Sequence, residues 1–429
     1  MSVSSGSNSG PPPVHESWLP RQHALYRPRH GSRQWLALVC AVVFFVTPLL
    51  AQVLGARAAE IENRPLEPFP SPTEGWGFFT GLTPWAVDHL PLREEAITLA
   101  DAVSRGVFRE PPALGEGPGG TDPLPEDQPD GQAGEPPSVP QVVEGTDGWL
   151  YLGEEIENRC EVPNDLADTF ASLHRLKEGV EASGREFVLV VAPDKATMVP
   201  EHLPARHADR DCVTEVSAKF WEHVRVSEYI VDLRGDLVAW GERRGAPVYP
   251  PLDTHWTDEG GIAMTTALAE AVHPGISYGW EVDPAAEWSV PADLPPLMGQ
   301  SGEVRGRYYA LRPDGERDRT RAVDSRFHTP LELHSPTAPG TVDRPVGLLA
   351  DSFTIRALRY LAASFSELTV LHLRSFHEDH GRAAAAMLVD KEVVAVQIVE
   401  RNLIPERSML TDSDVVDTVT RELARHPVR

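Results

Sequence analysis

The chain is 429 residues long and carries a formal net charge of -25, so it can bury a sizeable core, and one enzyme-sized domain is expected once tails and linkers are set aside. The acidic balance excludes nucleic acid as a general partner, because neutralising phosphates requires a basic face. Cysteines are few: Cys40 lies inside an apolar run, while Cys160 and Cys212 either pair, closing a loop worth about 4 kcal/mol in the chain-entropy account, or are two separate buried thiols.

Residues 1–33 are rich in Ser, Gly and Pro and carry Arg21, Arg27, Arg29 and Arg33. Such a composition builds no core, and a disordered cytoplasmic tail is expected. From Trp35 to Leu54 no residue is charged, and about 20 residues at 1.5 Å each cover the roughly 30 Å of a bilayer's hydrocarbon. A transmembrane anchor over 34–56 is therefore expected, behind which the arginine-rich N-terminal flank places the rest of the chain outside the cytoplasm. The competing reading is a signal peptide cleaved near Ala56-Arg57-Ala58. The apolar run exceeds an ordinary signal core, which favours a single-pass protein of the cell membrane.

Residues 57–109 mix Pro-rich extended chain with an amphipathic stretch from Trp85 to Val107 and read as a membrane-proximal collar. Residues 110–140, dominated by Pro, Gly, Glu and Asp, read as a solvated linker. The globular domain, 141–429, opens where Gly145-Thr146-Asp147-Gly148 sets a turn against Trp149-Leu150-Tyr151-Leu152.

From there helices and strands alternate. Leu166 to Ser183 reads as an amphipathic helix, Phe187 to Val191 as a fully buried strand, Val213 to Val226 as helix, Tyr229 to Leu233 as strand and Arg234 to Arg243 as helix. Thr257 is the expected N-cap of a helix running to about His273, with Asp258 and Glu259 in its first turn. Residues 275–345 break the pattern and read as a β-rich insertion. Val346 to Ala350 then reads as a buried strand, Ile355 to Phe365 as helix, Leu368 to Leu373 and Val393 to Val399 as strands, Ala383 to Leu388 as helix and Ser413 to His426 as a surface helix. This alternation implies an α/β domain with an open parallel sheet covered on both faces. Ligands on such sheets sit at the carboxyl ends of the strands.

Two short stretches hold the groups that nucleophilic acyl transfer needs: Asp253-Thr254-His255-Trp256 and Asp351-Ser352-Phe353. A serine hydroxyl is a weak nucleophile unless an imidazole takes its proton and a carboxylate fixes the imidazole's tautomer. In extended chain, residues two apart project to the same side, so Asp253 can reach Nδ1 of His255 while Nε2 stays free. The lead-in Ala246-Pro247-Val248-Tyr249-Pro250-Pro251 is incompatible with a helix. Ser352 falls between a strand and a helix, where backbone N–H groups can hold an oxyanion. Asp351 is expected to tune that turn. Lys195 and Arg401 also follow strands, as cations that bind an anionic sugar or shape the oxyanion pocket, or as members of surface salt bridges. His372, His377, Glu378, Asp379 and His380 read as a metal site or as a polar loop. Trp280, Trp288, Tyr308 and Tyr309 stack on sugar rings or pack the core.

Taken in order, Gly145-Thr146-Asp147-Gly148-Trp149-Leu150, Val191-Ala192-Pro193-Asp194-Lys195 with Pro200-Glu201-His202-Leu203-Pro204, Asp253-Thr254-His255-Trp256, Asp351-Ser352-Phe353 and Glu400-Arg401-Asn402-Leu403 resemble the alginate O-acetyltransferases of the AlgJ and AlgX type. The likeness spans about residues 60–405. It implies an SGNH-hydrolase-like three-layer α/β/α fold, with Ser352 as nucleophile, His255 as general base and acid and Asp253 as its orienting carboxylate. It also implies acetyl transfer to hydroxyls of an exported or cell-envelope polysaccharide without metal or bound cofactor, the acetyl group coming from a membrane-bound O-acyltransferase. A carbohydrate esterase with the same triad and a non-catalytic polysaccharide-binding or acyltransferase-binding scaffold are the rivals. The sequence departs from the family pattern at Ala350, where Gly usually precedes Asp-Ser.

Overall fold

The computed structural model describes residues 32–53, short pieces between 69 and 89, and residues 141–156, 166–204, 210–404 and 410–428. The expected tail up to residue 31, the linker, most of the collar, Cys160 and the side chain of Cys212 lie outside them. Two compact units divide the chain, one of Met1–Glu60 with Pro65–Arg93, the other of Ile61–Arg64 with Glu94–Arg429.

In the first unit a 22-residue helix, Ser32–Val53, forms where the anchor is expected. Trp35, Leu36, Val39, Val43 and Leu50 on it are exposed. Among the described residues, however, no helix is long and apolar enough to cross a membrane.

The second unit opens with strands β1 (Val142–Glu144) and β2 (Leu150–Leu152), paired antiparallel. Their connecting turn takes Asp147 and Gly148 into the left-handed region, at φ 55° and 79°, which is why this Gly/Asp turn is needed. The remaining strands are β3 (Glu186–Ala192), β4 (Ile230–Asp232), β5 (Glu281–Pro291), β6 (Glu303–Arg312), β7 (Leu331–His334), β8 (Val346–Ala350), β9 (Glu367–His372) and β10 (Val393–Val399). Six of them form the central sheet in the order β4-β3-β10-β8-β9-β7.

Both faces of that sheet are covered, which explains the continuous apolar runs. In β3, Val188, Val190 and Ala192 face one core with the helices Asp258–Val272 and Leu358–Ser364, while Phe187, Leu189 and Val191 face a second core with Leu166–Glu181, Arg210–Val226 and Ser413–Arg425. Each such buried Val, Leu or Phe side chain contributes roughly 1.5–3 kcal/mol. The three-layer expectation is met, but the sheet is mixed. β7 runs antiparallel to β9, with Leu331 opposite Val370. The sequence reading folded β7 into the insertion, because Leu331-Glu332-Leu333-His334 buries only Leu333 and therefore carries an edge strand's weak signal. What remains of the insertion is chiefly the antiparallel hairpin β5–β6.

The parallel strands bring their carboxyl ends to one edge. Ala192 at the end of β3 is level with Val399 of β10, and Gln397 of β10 with Ala350 of β8. The segments after them, at Lys195, Arg401 and Ser352, thus emerge together.

Candidate active site

After β8, Asp351 is the N-cap of a turn of 3-10 helix, Ser352–Arg356. Its carboxylate accepts from the N–H of Phe353 at 3.0 Å and of Val399 at 2.7 Å, which clamps the turn to the end of β10. Burial pushes the Asp351 carboxyl up, against the pull of those two N–H groups. The Phe353 and Thr354 N–H groups are both committed to Asp351, which leaves the N–H of Ser352 as the donor at the start of this turn. Ala350 is fully buried.

The Pro-rich segment ends in a turn at Pro251 and Leu252, and Thr254 and His255 follow in a bend rather than in the extended chain expected. Asp253 still reaches the ring because its carboxylate closes an Asx turn onto the His255 N–H. Nε2 of His255 lies 2.8 Å from Oγ of Ser352, and Nδ1 lies 3.1 Å from Oδ1 of Asp253. That Asp253 oxygen also accepts the backbone N–H of His255 at 2.9 Å. Trp256, 1 % exposed, donates its indole N–H to the carbonyl of Phe353 at 3.0 Å and packs edge-on against the Phe353 ring. The two motifs are thus joined by Ser352–His255 and, independently, by Trp256–Phe353.

Sequence reasoning missed Asp293. Its Oδ2 lies 3.2 Å from Nδ1 of His255, and its Oδ1 accepts the N–H of Thr254 at 2.9 Å. It sits 38 positions beyond His255, inside the insertion, and no local pattern marks it. Burial lowers the affinity of His255 for its proton, but the hydrogen bonds and charges of Asp253 and Asp293 outweigh burial and push its pKa up to about 10. For Asp293, burial is likewise overcome, and its bond to His255 holds the carboxyl below the usual range. Among the described residues, Asp253, His255 and Asp293 are also the group whose ligand atoms, all within 4.8 Å of one another, are spaced to hold a metal ion. The ring nitrogen between two carboxylates is accounted for equally by a shared N–H.

Lys195 and Arg401 are not presented to solvent as sugar-binding cations. Lys195 is fully buried, and its Nζ donates to the carbonyl of Asp253 at 2.7 Å, of Pro251 at 3.3 Å and of Pro250 at 3.4 Å. Burial lowers its pKa to about 8, against the opposing pull of Glu155, Asp293 and Asp253. Arg401 is 8 % exposed and donates to Oδ1 of Asp194 at 2.6 Å, its guanidinium 5.4 Å from the centre of the Phe353 ring. Both cations brace the loops that carry the site. The expected position for them was right, and the direction their side chains face was not legible in the sequence.

The insertion's aromatics are also engaged within the protein. Trp288 donates to Oδ2 of Asp258 at 2.8 Å under the guanidinium of Arg356. Tyr309 donates to Oε1 of Glu259 at 2.8 Å, Trp280 donates to the carbonyl of Gly340 at 2.8 Å, and Arg359 covers Tyr308. Thr257 stands at the N-cap position of Asp258–Val272 without capping by its side chain. Its hydroxyl bonds Val248 and Glu259 instead. His372 stacks on His328 at 4.6 Å, and its Nδ1 accepts the N–H of Arg374. Burial, with His328 and Arg374 nearby, lowers its pKa to about 3. The side chains of His377 and Glu378 lie outside the described residues. A cleft of about 450 Å³ borders the segment leading into Asp253, with walls from Trp149, Arg244, Tyr249, Pro251, Leu252 and Arg305.

A three-layer α/β sheet that carries serine, imidazole and carboxylate on loops at its strand ends has the form of an SGNH hydrolase-like domain. Residues 142–293 match the family described as SGNH hydrolase-like domain, acetyltransferase AlgX, the type that the motifs of the chain resemble. Among curated proteins, the probable alginate O-acetylase AlgJ of Pseudomonas syringae pv. tomato is 30% identical over 141 residues, 31% of this chain and 34% of that one. The protein of the same name from Pseudomonas fluorescens is 30% identical over 139 residues, 31% of this chain and 34% of its own length. The chain spans about a third of the length of the curated relatives it matches. The solved O-acetyltransferase domain of Pseudomonas putida AlgJ aligns with a TM-score of 0.42 and 18% identity, over 66% of this chain and 99% of that domain, too loose an overlap to bear on function. Ser352 lies beyond the matched residues, so its place in the site rests on geometry.

Proposed function

We propose that the chain is an extracytoplasmic O-acetyltransferase that moves an acetyl group, through an acyl-serine at Ser352, to hydroxyls of an exported or cell-envelope polysaccharide. The observation that carries the reading is the continuous relay from Ser352 Oγ to His255 Nε2 and from His255 Nδ1 to carboxylate. The names of the relatives point to acetyl transfer onto a polysaccharide.

In the first half-reaction Ser352 Oγ attacks the acetyl carbonyl and His255 Nε2 takes the hydroxyl proton. The Ser352 N–H donates to the tetrahedral oxyanion. Collapse expels the donor's leaving group, which takes the proton back from His255. A sugar hydroxyl then gives its proton to Nε2 and attacks the acyl-serine, and the proton returns to Ser352 as the ester leaves.

The charge-free run from Trp35 to Leu54, flanked by arginines on its N-terminal side, supports a membrane anchor. That location lacks cytoplasmic acetyl-CoA, so a membrane-bound O-acyltransferase is the expected acetyl source. The test is to incubate the protein with an acetyl ester, with and without oligosaccharide. Acceptor-dependent ester formation that disappears in Ser352→Ala supports the transferase. Acetyl release indifferent to any acceptor would make it an esterase, and unchanged cellular acetylation in Ser352→Ala would leave only a binding scaffold.

A further inference from the structure

We propose that Asp293 is a second positioning residue for His255, so that the 275–345 insertion completes the site rather than merely bordering it. This rests on reading Ser352 and His255 as the acyl-transfer pair.

The geometry of Asp253 is what leaves work for a second carboxylate. Its Oδ1 already accepts the backbone N–H of His255 at 2.9 Å, and the same oxygen receives the ring nitrogen at 3.1 Å. Asp293 approaches that nitrogen from a different element at 3.2 Å and holds the backbone of Thr254 with its other oxygen at 2.9 Å. It therefore grips the imidazole and the loop beneath it at once. Its own place is fixed. Ala292, before it, donates to the carbonyl of Gly302 at 2.9 Å, and Leu294, after it, donates to the carbonyl of Leu252 at 3.3 Å. Leu294 and Pro295 are buried in the helical turn Leu294–Leu297, so Asp293 sits on a rigid support.

The groups facing His255 from each neighbouring element make the consequence clear. Its own loop supplies Asp253, and the insertion supplies Asp293. The turn after β8 supplies the neutral Ser352 and the Phe353 ring, 4.9 Å away. The loop after β3 supplies Lys195, which bonds the carbonyl of Asp253, and the loop after β10 supplies Arg401 behind Phe353. One carboxylate is enough to fix the tautomer. A second adds negative charge at the same proton, which stabilises the imidazolium that forms when Ser352 or a sugar hydroxyl gives up its proton. The cost is that less neutral imidazole is present at rest.

Asp293→Asn removes the charge and keeps an acceptor for Thr254. The experiment follows the His255 ring by NMR titration in the full chain labelled with 15N-histidine, its signals assigned by their loss in His255→Gln. The expected result is that His255 titrates at least one pH unit lower in Asp293→Asn than in the parent. The acid limb of kcat/KM for acetyl transfer should move by the same amount, with KM for the acceptor little changed. In Asp253→Asn, His255 should still titrate above the usual histidine range. An unmoved titration in Asp293→Asn, or a return to the ordinary histidine value in Asp253→Asn, would overturn the proposal. The two histidine titrations need no turnover, so they stand apart from the acetyl-transfer reading, which Ser352→Ala decides separately.

Discussion

The indole N–H of Trp256 donates to the backbone carbonyl of Phe353 at 3.0 Å, and through this bond the loop that carries His255 holds the turn that carries Ser352. The two catalytic candidates are 97 positions apart in sequence, so their 2.8 Å approach depends on a support that does not itself react. Trp256→Phe removes the donor, orphans a buried carbonyl and leaves a small void. The expected cost is about 2–3 kcal/mol in urea unfolding. Acetyl transfer should fall tenfold or more through kcat, because the hydroxyl and the imidazole lose registration. Unfolding and kcat that both match the parent would show that packing alone positions the turn.

Lys195 plays the corresponding part behind Asp253. Its ammonium reaches three consecutive-loop carbonyls, those of Pro250, Pro251 and Asp253, while it lies 5.3 Å from the Tyr151 ring centre. Lys195→Met keeps the volume and removes every one of those donors, offset in part by relief of the buried charge. We expect a loss of roughly 2–4 kcal/mol and a fall in kcat larger than any change in acceptor KM. Lys195→Arg should not rescue it, since a planar guanidinium cannot converge on the same carbonyls. A raised KM with kcat unchanged would return Lys195 to the sugar-binding role that its place after β3 first suggested.

How far the sequence could be read follows from these same residues. The strands β3, β8 and β10 were legible because both of their faces are buried, which leaves an uninterrupted apolar run. Asp253 and His255 were legible because their relation is local, and Ser352 because a strand, a turn and a helix follow one another there. Asp293 was not, because it joins His255 only through the tertiary return of the insertion. Nor was the inward turn of Lys195, since a cation after a strand reads the same whether it meets solvent or three buried carbonyls. β7 escaped for a third reason: its partner β9 lies more than thirty residues on, and one buried side chain is too little periodicity to announce a strand.

The approach of the helix Asp258–Val272 to the Ser352 turn depends on glycine. A Cβ on Gly261 would stand 2.4 Å from the carbonyl oxygen of Arg356 and 2.6 Å from its carbon, both backbone atoms. Gly261→Ala must therefore push the helix away from the turn, with an expected loss of about 1–3 kcal/mol and lowered acetyl transfer. Gly235 is the control, since a Cβ there meets nothing within 4 Å. Gly235→Ala, in the exposed first turn of Arg234–Arg244, should be neutral to stabilising by up to about 1 kcal/mol. Equal effects from the two substitutions in thermal unfolding would remove the steric argument.

Glu155 gives the fold a pH dependence of its own. It is fully buried, its Oε2 accepts the N–H of Ala196 at 2.8 Å, and Oε1 has no hydrogen-bond partner among the described residues. Burial and the nearby charge of Asp194 raise its pKa to about 7, against the pull of Arg401 and Lys195. A carboxyl whose folded pKa lies above its unfolded value stabilises fully below the unfolded value, near 4.5, and that contribution fades as pH rises through 7. Glu155→Gln does not titrate, so its stability relative to the parent should improve as pH rises from 4.5 to 7.5, by at most about 3 kcal/mol. Most of the window lies below the pH near 8 at which Lys195 loses its proton. Urea midpoints at half-unit pH steps would show the difference, and parallel curves for the two proteins would mean that Glu155 stays ionised beside Lys195 and Arg401 throughout.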